Sequence, residues 1–214
     1  MPAQPTPTDV VRTRVMEGLV EAVAAKGYVA VTISDIARLA QVSKSTFYAH
    51  FADKEACFLA AYAAAAERVL EVLVSAGSRE DLSDDDRILA ATQAYLGVVA
   101  DNPALTRTFI VEVLAAGPAA LQARHQVNRR FADVLRRLVD QRADPGRGSL
   151  SAPAAQIIVG GMNELVLDAV VEGQGQRQYR VNHRLPLPGH HLVANAAGTD
   201  DRHLRRHHDG VGIA

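Results

Sequence analysis

The sequence predicts an all-α fold, and three observations support this. Apolar residues recur at the three-to-four-residue spacing of amphipathic helices over most of the chain. Capping residues and glycine or proline breaks separate these periodic stretches. Aromatic residues make up 5% of the 214 residues and tryptophan is absent, whereas alanine and valine are abundant. This composition favours packed helices over sheets.

Three helices are predicted at the N-terminus. The first begins at Asp9 and ends at Lys26, where Gly27 suits a left-handed cap. Thr32 and Asp35 have the spacing of a capping box, so Thr32 is the predicted N-cap of a short second helix. A three-residue break then precedes the third helix, and Ser43 is its predicted N-cap. The predicted spans are 9–26, 32–40 and 44–50.

Five longer helical stretches follow, each bounded by recognisable start or stop signals. Asp53 and Ser83 are predicted caps, and Gly117-Pro118 and Asp144-Pro145-Gly146 are predicted breaks. Two adjacent glycines in the last stretch weaken it by about 1 kcal/mol each relative to alanine, and they allow another helix to approach closely. The predicted spans are 53–76, 83–102, 104–115, 119–141 and 151–172.

The composition changes after Gly173. Residues 174–214 contain six arginines, three aspartates and six of the eight histidines, with no helical or alternating period. This segment is expected to be a disordered or divergent tail, or the product of a reading-frame shift in a G+C-rich gene. The scattered histidines are weak evidence for metal binding.

Composition and charge limit the possible functions. The formal net charge is −1, so an argument for nucleic-acid binding must rest on local features. A single cysteine, Cys57, excludes an internal disulfide framework and is expected to be a buried apolar side chain. There is no secretory signal pattern and no uninterrupted apolar run of membrane-spanning length. A cytoplasmic protein without a membrane partner is expected.

No enzymatic arrangement is visible in the sequence. It contains no nucleophile–base spacing and no glycine-rich phosphate loop, and the acidic run at 80–86 is typical of a helix start. We therefore expect no catalytic residues, no metal site and no cofactor.

The segment 32–58 carries the functional argument. Two helices of about two turns each, joined by three residues, have the helix-turn-helix geometry in which the second helix enters the DNA major groove. Ile36, Leu39 and Phe47 are predicted to point inward, and Val42 is predicted to fill the turn. The polar residues on the opposite side are suited to phosphates and base edges. They are Ser43, Lys44, Ser45, Thr46, Tyr48 and His50, with Lys54 at the start of the next helix.

These residues identify the segment as resembling the TetR family of transcriptional regulators. The resemblance covers residues 9–60 and departs from the family pattern at Gln41 and Ser45, where glycine or a small residue is usual. If Gln41 must adopt a left-handed conformation, this costs about 1 kcal/mol relative to glycine. The matching pattern is Ile36-Ala37, Val42-Ser43, Thr46-Phe47-Tyr48, His50-Phe51 and Lys54-Glu55.

The resemblance implies a homodimer that binds a near-palindromic operator in double-stranded DNA. Lys44, Thr46, Tyr48, His50 and Lys54 are the implied DNA contacts. Half-sites are expected about 34–36 Å apart or at multiples of that distance. Weaker candidates for contacts with the DNA backbone are Thr32, Arg12 and Arg14. The expected dimer-interface residues are Gly160, Gly161 and Leu165.

The resemblance also divides the chain into a DNA-binding domain at 9–53 and a ligand-binding and dimerisation domain at 54–173. The second domain contains a mostly apolar set with a few polar groups, which is typical of a small-molecule cavity. For each member, packing in the core is the alternative. The set is Tyr62, Tyr95, Phe109, His125, Asn128, Met162 and Asn163.

The sequence therefore predicts a DNA-binding transcriptional regulator, a ligand-responsive repressor. The alternative is a helical ligand-binding or enzymatic bundle whose helix-turn-helix has lost its affinity for DNA. Residues 1–60 contain six basic and six acidic side chains, so DNA binding requires the cations to gather on one side. The sequence does not separate a repressor from an activator.

Overall fold

The computed structural model describes residues 6–140 and 149–171, and every regular element in these ranges is helical. The predicted all-α fold is confirmed. The predicted tail at 174–214 lies outside the described residues. The α-helices are α1 (Pro7–Lys26), α2 (Ile33–Leu39), α3 (Lys44–His50), α4 (Lys54–Gly77), α5 (Asp84–Asp101), α6 (Pro103–Thr106), α7 (Pro118–Asp140) and α8 (Ala152–Val171).

Side-chain caps set the helix starts. Thr32, Ser43, Asp53 and Ser83 each accept a hydrogen bond from a backbone N–H in the first turn, as the sequence predicts. Helix α1 begins two residues before the predicted start, because Thr6 forms a capping box in which Asp9 is the third helical residue instead of the first.

The chain leaves α1 through Gly27, which has φ +78° and ψ +150°. The positive φ explains why glycine suits this position. The predicted left-handed cap is nevertheless wrong, since ψ lies far from the left-handed helical region. The turn instead directs the next backbone N–H, that of Tyr28, toward a distant carboxylate on Glu112.

The predicted helix at 104–115 is not one α-helix. A short α6 is followed by a π-helical segment at Arg107–Val111 and a 3₁₀ turn at Glu112–Ala115. The hydroxyl of Thr106 donates to the carbonyl of Val99 (2.9 Å), and that of Thr108 donates to the carbonyl of Val20 (3.3 Å). These tertiary bonds tie the segment to α5 and α1, a constraint that local periodicity does not reveal.

The core continues from the first three helices into the helices that follow. Phe47 and Phe58 are fully buried. Phe58 packs edge-on against Tyr28 and Phe109, with ring centroids 5.1 and 5.6 Å apart. The predicted boundary between residues 53 and 54 thus crosses continuous packing, and the division into two domains stays a prediction.

Helix α8 is a strongly apolar helix. By length and composition alone it could cross a membrane, with a mean hydropathy of 1.4 over 18 residues. Only 22% of that window is buried. One such helix is weak evidence for a membrane span, since helices of soluble proteins also meet these criteria.

Candidate functional site

Helices α2 and α3 form the helix-turn-helix, which rests on α1 at very short range. A Cβ placed on Gly18 of α1 would lie 2.8 Å from the backbone nitrogen of Ala40 and 3.0 Å from the carbonyl oxygen of Ile36. Any other residue at Gly18 would push α2 away from α1. The predicted helix-turn-helix motif does not include this residue.

The turn between the two helices contains the strained residue that the sequence predicts. Gln41 has φ +54°, and among the described residues it is the one non-glycine with a positive φ. Its side chain is exposed. The next residue closes the turn, since the N–H of Val42 donates to the carbonyl of Ala37 (2.9 Å). The usual glycine would avoid the strain at this position.

The inner face of α3 is held firmly. Phe47 is fully buried, Phe51 is 4% exposed, and Ile36 and Ala37 of α2 are buried beneath them. The outer face carries the predicted DNA contacts. Ser43, Lys44, Ser45 and Tyr48 are exposed, with Tyr48 at 56%, whereas Thr46 and His50 are half-buried.

Three hydroxyl groups cluster at the start of α3. The Oγ of Ser43 accepts from the backbone N–H of Thr46 (3.0 Å) and lies 2.7 Å from the Oγ of Ser45 and 2.8 Å from the Oγ1 of Thr46. These hydroxyls can donate or accept, so they can reorient toward a phosphate or a base edge. Thr32, exposed at the start of α2, places one further hydroxyl, which donates to Asp35 (2.7 Å).

Arg12 contacts the recognition helix itself. Its guanidinium donates to the carbonyl of His50 in the last turn of α3 (3.0 Å) and lies 4.3 Å above the ring of Phe51. A cation at a helix C-terminus is favourable because it meets unsatisfied carbonyls. Arg12 therefore holds α3 in place, a role that sequence reasoning missed.

Lys54 also has internal partners. Its ammonium group donates to the carbonyls of Tyr28 (2.7 Å) and Val31 (2.9 Å) and lies 4.3 Å from the centroid of the Tyr28 ring. Burial lowers the pKa of this amine below its usual value. The structure thus ties the predicted DNA contact to the loop before α2.

The remaining cations of the first 60 residues are divided between ion pairing and exposure. Lys26 forms an ion pair with Asp35 (2.5 Å). Arg14, Arg38 and Lys44 are exposed. Half of the six basic residues in this part of the chain therefore brace the fold, and the other half are presented to solvent.

The helices after α3 border two apolar hollows, each partly open to solvent. The first hollow is lined by Leu73, Ile88, Ala91, Thr92, Tyr95, Phe131, Val134, Leu135, Leu138, Val159, Met162 and Asn163. The second hollow is lined by Tyr62, Ala65, Ala66, Val69, Tyr95, Val98, Val99, Leu105, Thr106, Phe109, Ile110, Arg124, Val127, Asn128, Phe131 and Asn163.

Six of the seven predicted ligand contacts line these hollows. Tyr95 and Asn163 line both hollows. The amide of Asn163 donates to the Oδ1 of Asn128 (3.0 Å) and accepts from the hydroxyl of Tyr95 (3.4 Å). His125 is exposed on α7 and lines neither hollow. Burial raises the pKa of Tyr62 to about 12, so this phenol is neutral at physiological pH.

The predicted dimer-interface residues lie on α8. A Cβ added to Gly160 or Gly161 would have no other heavy atom within 4 Å, and Leu165 is 55% exposed. Ile157, on the same helix, is 75% exposed. These residues are therefore accessible within a single chain.

Cys57 is fully buried, and burial raises the pKa of its thiol to about 12. Among residues 6–140 and 149–171, no cluster of three histidine, cysteine, aspartate or glutamate side chains could hold a metal ion.

Known proteins resemble this helix-turn-helix in sequence. The family model described as bacterial regulatory proteins, tetR family, matches residues 15–61, which span most of α1, the helix-turn-helix and the start of α4. Among proteins with curated descriptions, none matches.

The similarity to solved structures extends beyond the helix-turn-helix and includes the later helices. The fatty acid degradation regulator FadR from Bacillus halodurans is 19% identical, with a TM-score of 0.71 over 80% of this chain and 88% of that chain. FadR from Bacillus subtilis, solved in complex with stearoyl-CoA, is 17% identical, with a TM-score of 0.65 over 76% and 88%.

A bacterial regulatory protein in the tetR family from Rhodococcus RHA1 is 25% identical, with a TM-score of 0.61 over 75% of this chain and 83% of that chain. The family model matches the helix-turn-helix, and the solved structures share the helices that follow it. Residues 15–61 thus carry the N-terminal domain of the tetR family of bacterial regulatory proteins, and the chain has the fold of a DNA-binding transcriptional regulator.

Proposed function

We propose that this protein is a cytoplasmic repressor that binds a near-palindromic operator as a homodimer and releases it when a small molecule binds. The observation that carries the proposal is the two-sided character of α3. Its inner face is anchored by the buried Phe47, and its outer face presents the exposed Lys44 and Tyr48. A rigid helix with an exposed polar face is what major-groove recognition requires.

The proposed DNA contacts fall into two groups. Lys44 is placed on a phosphate, because an ammonium group acts as a point charge there. Tyr48 and Ser45 lie on the exposed face and are proposed to approach base edges. Thr32, Ser43, Thr46 and His50 are proposed to contact the DNA backbone beside them, and Lys54 is proposed to act through the loop that it holds.

The proposed dimer forms through α8. Ile157 and Leu165 are large apolar side chains that a monomer leaves exposed. The open space around Gly160 and Gly161 would let a partner helix approach closely. Burial of this face against a second copy explains the apolar character of α8 without a membrane.

The proposed ligand response uses the irregular segment after α6. Phe109 lines the second hollow, and Thr108 beside it donates to the carbonyl of Val20 in α1. The same segment contains Glu112, whose carboxylate accepts a hydrogen bond from the backbone N–H of Tyr28. A ligand would weaken operator binding only if it bound the DNA-incompetent arrangement more tightly than the competent one.

The proposal is tested by fluorescence anisotropy with duplex DNA from the region flanking the gene of this protein. We expect binding at least about a thousandfold tighter than to scrambled DNA. Lys44→Ala and Tyr48→Ala should each weaken this binding while the helical circular dichroism spectrum is unchanged.

Arg129→Ala is the matched control for Lys44→Ala. It also removes one exposed positive charge, but from α7, far along the chain from the helix-turn-helix. Its affinity should equal that of the wild-type protein. Wild-type affinity in both Lys44→Ala and Tyr48→Ala would contradict the proposed site.

A further inference from the structure

The second hollow contains a buried hydroxyl group that lacks a hydrogen-bond partner. Tyr62 of α4 lines this hollow and is only 7% exposed. Its ring packs against Phe58 and Phe109, but within residues 6–140 and 149–171 no group donates to its hydroxyl or accepts from it. Buried polar groups are nearly always hydrogen-bonded, because an unsatisfied one is costly. This hydroxyl can therefore bond to a molecule that enters the hollow.

Arg124 of α7 brings a positive charge to the same hollow. It is half-buried, and it is the one charged side chain among the described residues that line this hollow. No carboxylate in the described part of the chain pairs with it, whereas Arg130 on the same helix pairs with Glu67. Burial raises the pKa of Tyr62, and the Arg124 charge opposes this with a smaller lowering effect. The guanidinium and the phenol therefore lie within electrostatic range of each other.

The other polar side chains of this hollow have partners inside the protein. Asn163 donates to Asn128 at 3.0 Å and accepts from the Tyr95 hydroxyl. Thr106 donates to a carbonyl of α5 at 2.9 Å. The guanidinium and the phenol hydroxyl are thus the two polar side-chain groups of the lining for which the described residues supply no partner.

Helical spacing places both groups beside hydrocarbon. Val127 and Phe131 lie three and seven residues after Arg124 on α7, and Val69 lies seven residues after Tyr62 on α4. Residues at these spacings share one face of a helix. All five line the second hollow. A molecule with a polar end at Arg124 would therefore meet apolar surface along the rest of its length.

The two unpartnered groups favour an anion with a single carboxylate. A guanidinium and a phenol hydroxyl both donate hydrogen bonds, and a carboxylate can accept from both. Arginine pairs with a carboxylate in a two-point geometry that strengthens the contact. Because Arg124 is half-buried, the carboxylate would be only partly removed from water. A ligand with several phosphates would need more cations than the described lining contains.

We propose that the effector is a monocarboxylate with an apolar body. Its carboxylate accepts hydrogen bonds from Arg124 and from the Tyr62 hydroxyl, and its body lies in the second hollow. The inference deepens the proposed function and rests on it for the consequence of binding. The ring of Tyr62 packs edge-on against Phe109, with centroids 5.2 Å apart, so the bound carboxylate lies beside the irregular segment that contacts α1.

The test is isothermal titration calorimetry of the full-length protein with two carboxylates, octanoate and 4-phenylbutanoate, whose apolar bodies differ in shape. The matched uncharged ligands are octan-1-ol and 4-phenylbutan-1-ol, and stearoyl-CoA is the ligand with several phosphates. For the tighter-binding pair, we expect the carboxylate to bind at least about tenfold more tightly than its alcohol, a factor that corresponds to one charged hydrogen bond. Stearoyl-CoA should bind more weakly than this carboxylate.

Two variants test the two donors. Arg124→Gln should weaken carboxylate binding by at least about tenfold and leave the affinity for the matched alcohol within about twofold. Tyr62→Phe removes only a hydroxyl and should weaken carboxylate binding by about threefold or more, which keeps the test valid if Arg124→Gln does not fold. Arg129→Gln removes an exposed charge from the same helix and is the control, with the affinity of the wild-type protein.

Three outcomes would overturn the inference: no binding of either carboxylate, equal or tighter binding of the alcohols or stearoyl-CoA, or wild-type carboxylate affinity in Arg124→Gln and Tyr62→Phe. Operator binding by the same preparation distinguishes the two proposals. If DNA is bound but the carboxylates are not, the ligand class is wrong and the regulator stands. If a carboxylate is bound but no DNA is, the ligand site stands and the proposed function fails. A bound carboxylate that leaves operator affinity unchanged would overturn its role as the effector.

Discussion

The carboxylate of Glu112 accepts a hydrogen bond from the backbone N–H of Tyr28, 84 residues earlier in the chain, at 2.8 Å. Its other oxygen lies 3.6 Å from the guanidinium of Arg107. Glu112 follows the π-helical segment that borders the second hollow, and Tyr28 lies in the loop between α1 and α2. One side chain thus joins the segment beside the second hollow to the loop that precedes the helix-turn-helix.

Glu112→Ala should therefore lower the free energy of unfolding by about 1–3 kcal/mol, because the half-buried N–H of Tyr28 loses its charged partner. Urea denaturation measures this change. Glu71→Ala, an exposed glutamate on α4, is the control and should change stability by less than about 0.5 kcal/mol. Equal stability of Glu112→Ala and the wild-type protein would show that the contact contributes nothing.

Arg12→Ala should weaken DNA binding without removing a phosphate contact, since its guanidinium holds the carbonyl of His50 at the end of α3. The salt dependence of binding separates the two roles. Loss of a phosphate contact lowers the slope of log K against log salt by about 0.9 per contact, so Lys44→Ala should lower it by about 2 per dimer. Arg12→Ala should leave the slope unchanged, and a reduced slope would place Arg12 on the DNA.

Gln41→Gly should stabilise the protein by about 1 kcal/mol, because φ +54° is strained for glutamine and allowed for glycine. The side chain is exposed, so the substitution removes no buried contact. Differential scanning calorimetry measures the shift. Gln41→Ala keeps the strain and is expected to stay close to the wild-type melting temperature, and destabilisation by glycine would contradict the explanation.

Asp35 should contribute to stability at neutral pH and lose that contribution in acid. Hydrogen bonds from Lys26, and then from Thr32, hold the pKa of its carboxyl well below the usual range. A lowered folded-state pKa means that the contribution is complete above the unfolded value of about 3.9 and falls as the pH decreases below it. Asp35→Asn should thus be less stable than the wild-type protein at pH 7, with a gap that narrows below about pH 4. A gap independent of pH would contradict this account.

Cys57 should be inert in the folded protein. Its side chain is fully buried, and burial raises the pKa of the thiol to about 12, whereas the thiolate is the reactive form. Ellman's reagent at pH 8 should react with it only after denaturation in guanidinium chloride. Rapid reaction of the native protein would instead make Cys57 a candidate redox sensor.

Local sequence signals predicted most of the DNA-binding part. The caps Thr32, Ser43 and Asp53 act over three residues, so they need no tertiary information. The strain at Gln41 was expected from the glycine usual in the family, on the condition that Gln41 adopts a left-handed conformation, and its positive φ meets that condition. The inward positions of Phe47 and Ile36 follow from helical period.

The errors and omissions share a cause, which is contact between residues far apart in sequence. Arg12 reaches His50, Glu112 reaches Tyr28, and the π-helical segment is tied to α1 by Thr108. Lys54 was predicted as a DNA contact from its position at a helix start and from the family resemblance. The carbonyls that it binds become adjacent only in the folded chain. The predicted cavity residues were chosen by residue type in the later helices; six of the seven line the hollows, and His125 is exposed on α7 instead.

The most direct test of the central claim is selection of bound duplexes from random-sequence DNA by the full-length protein, because it does not depend on where the operator lies in the genome. The account predicts enrichment of an inverted repeat whose half-site centres are about one helical turn apart, or a multiple of it, with enrichment lost in Tyr48→Ala. A folded protein that enriched no sequence, or one that enriched the same repeat with Tyr48→Ala, would contradict it.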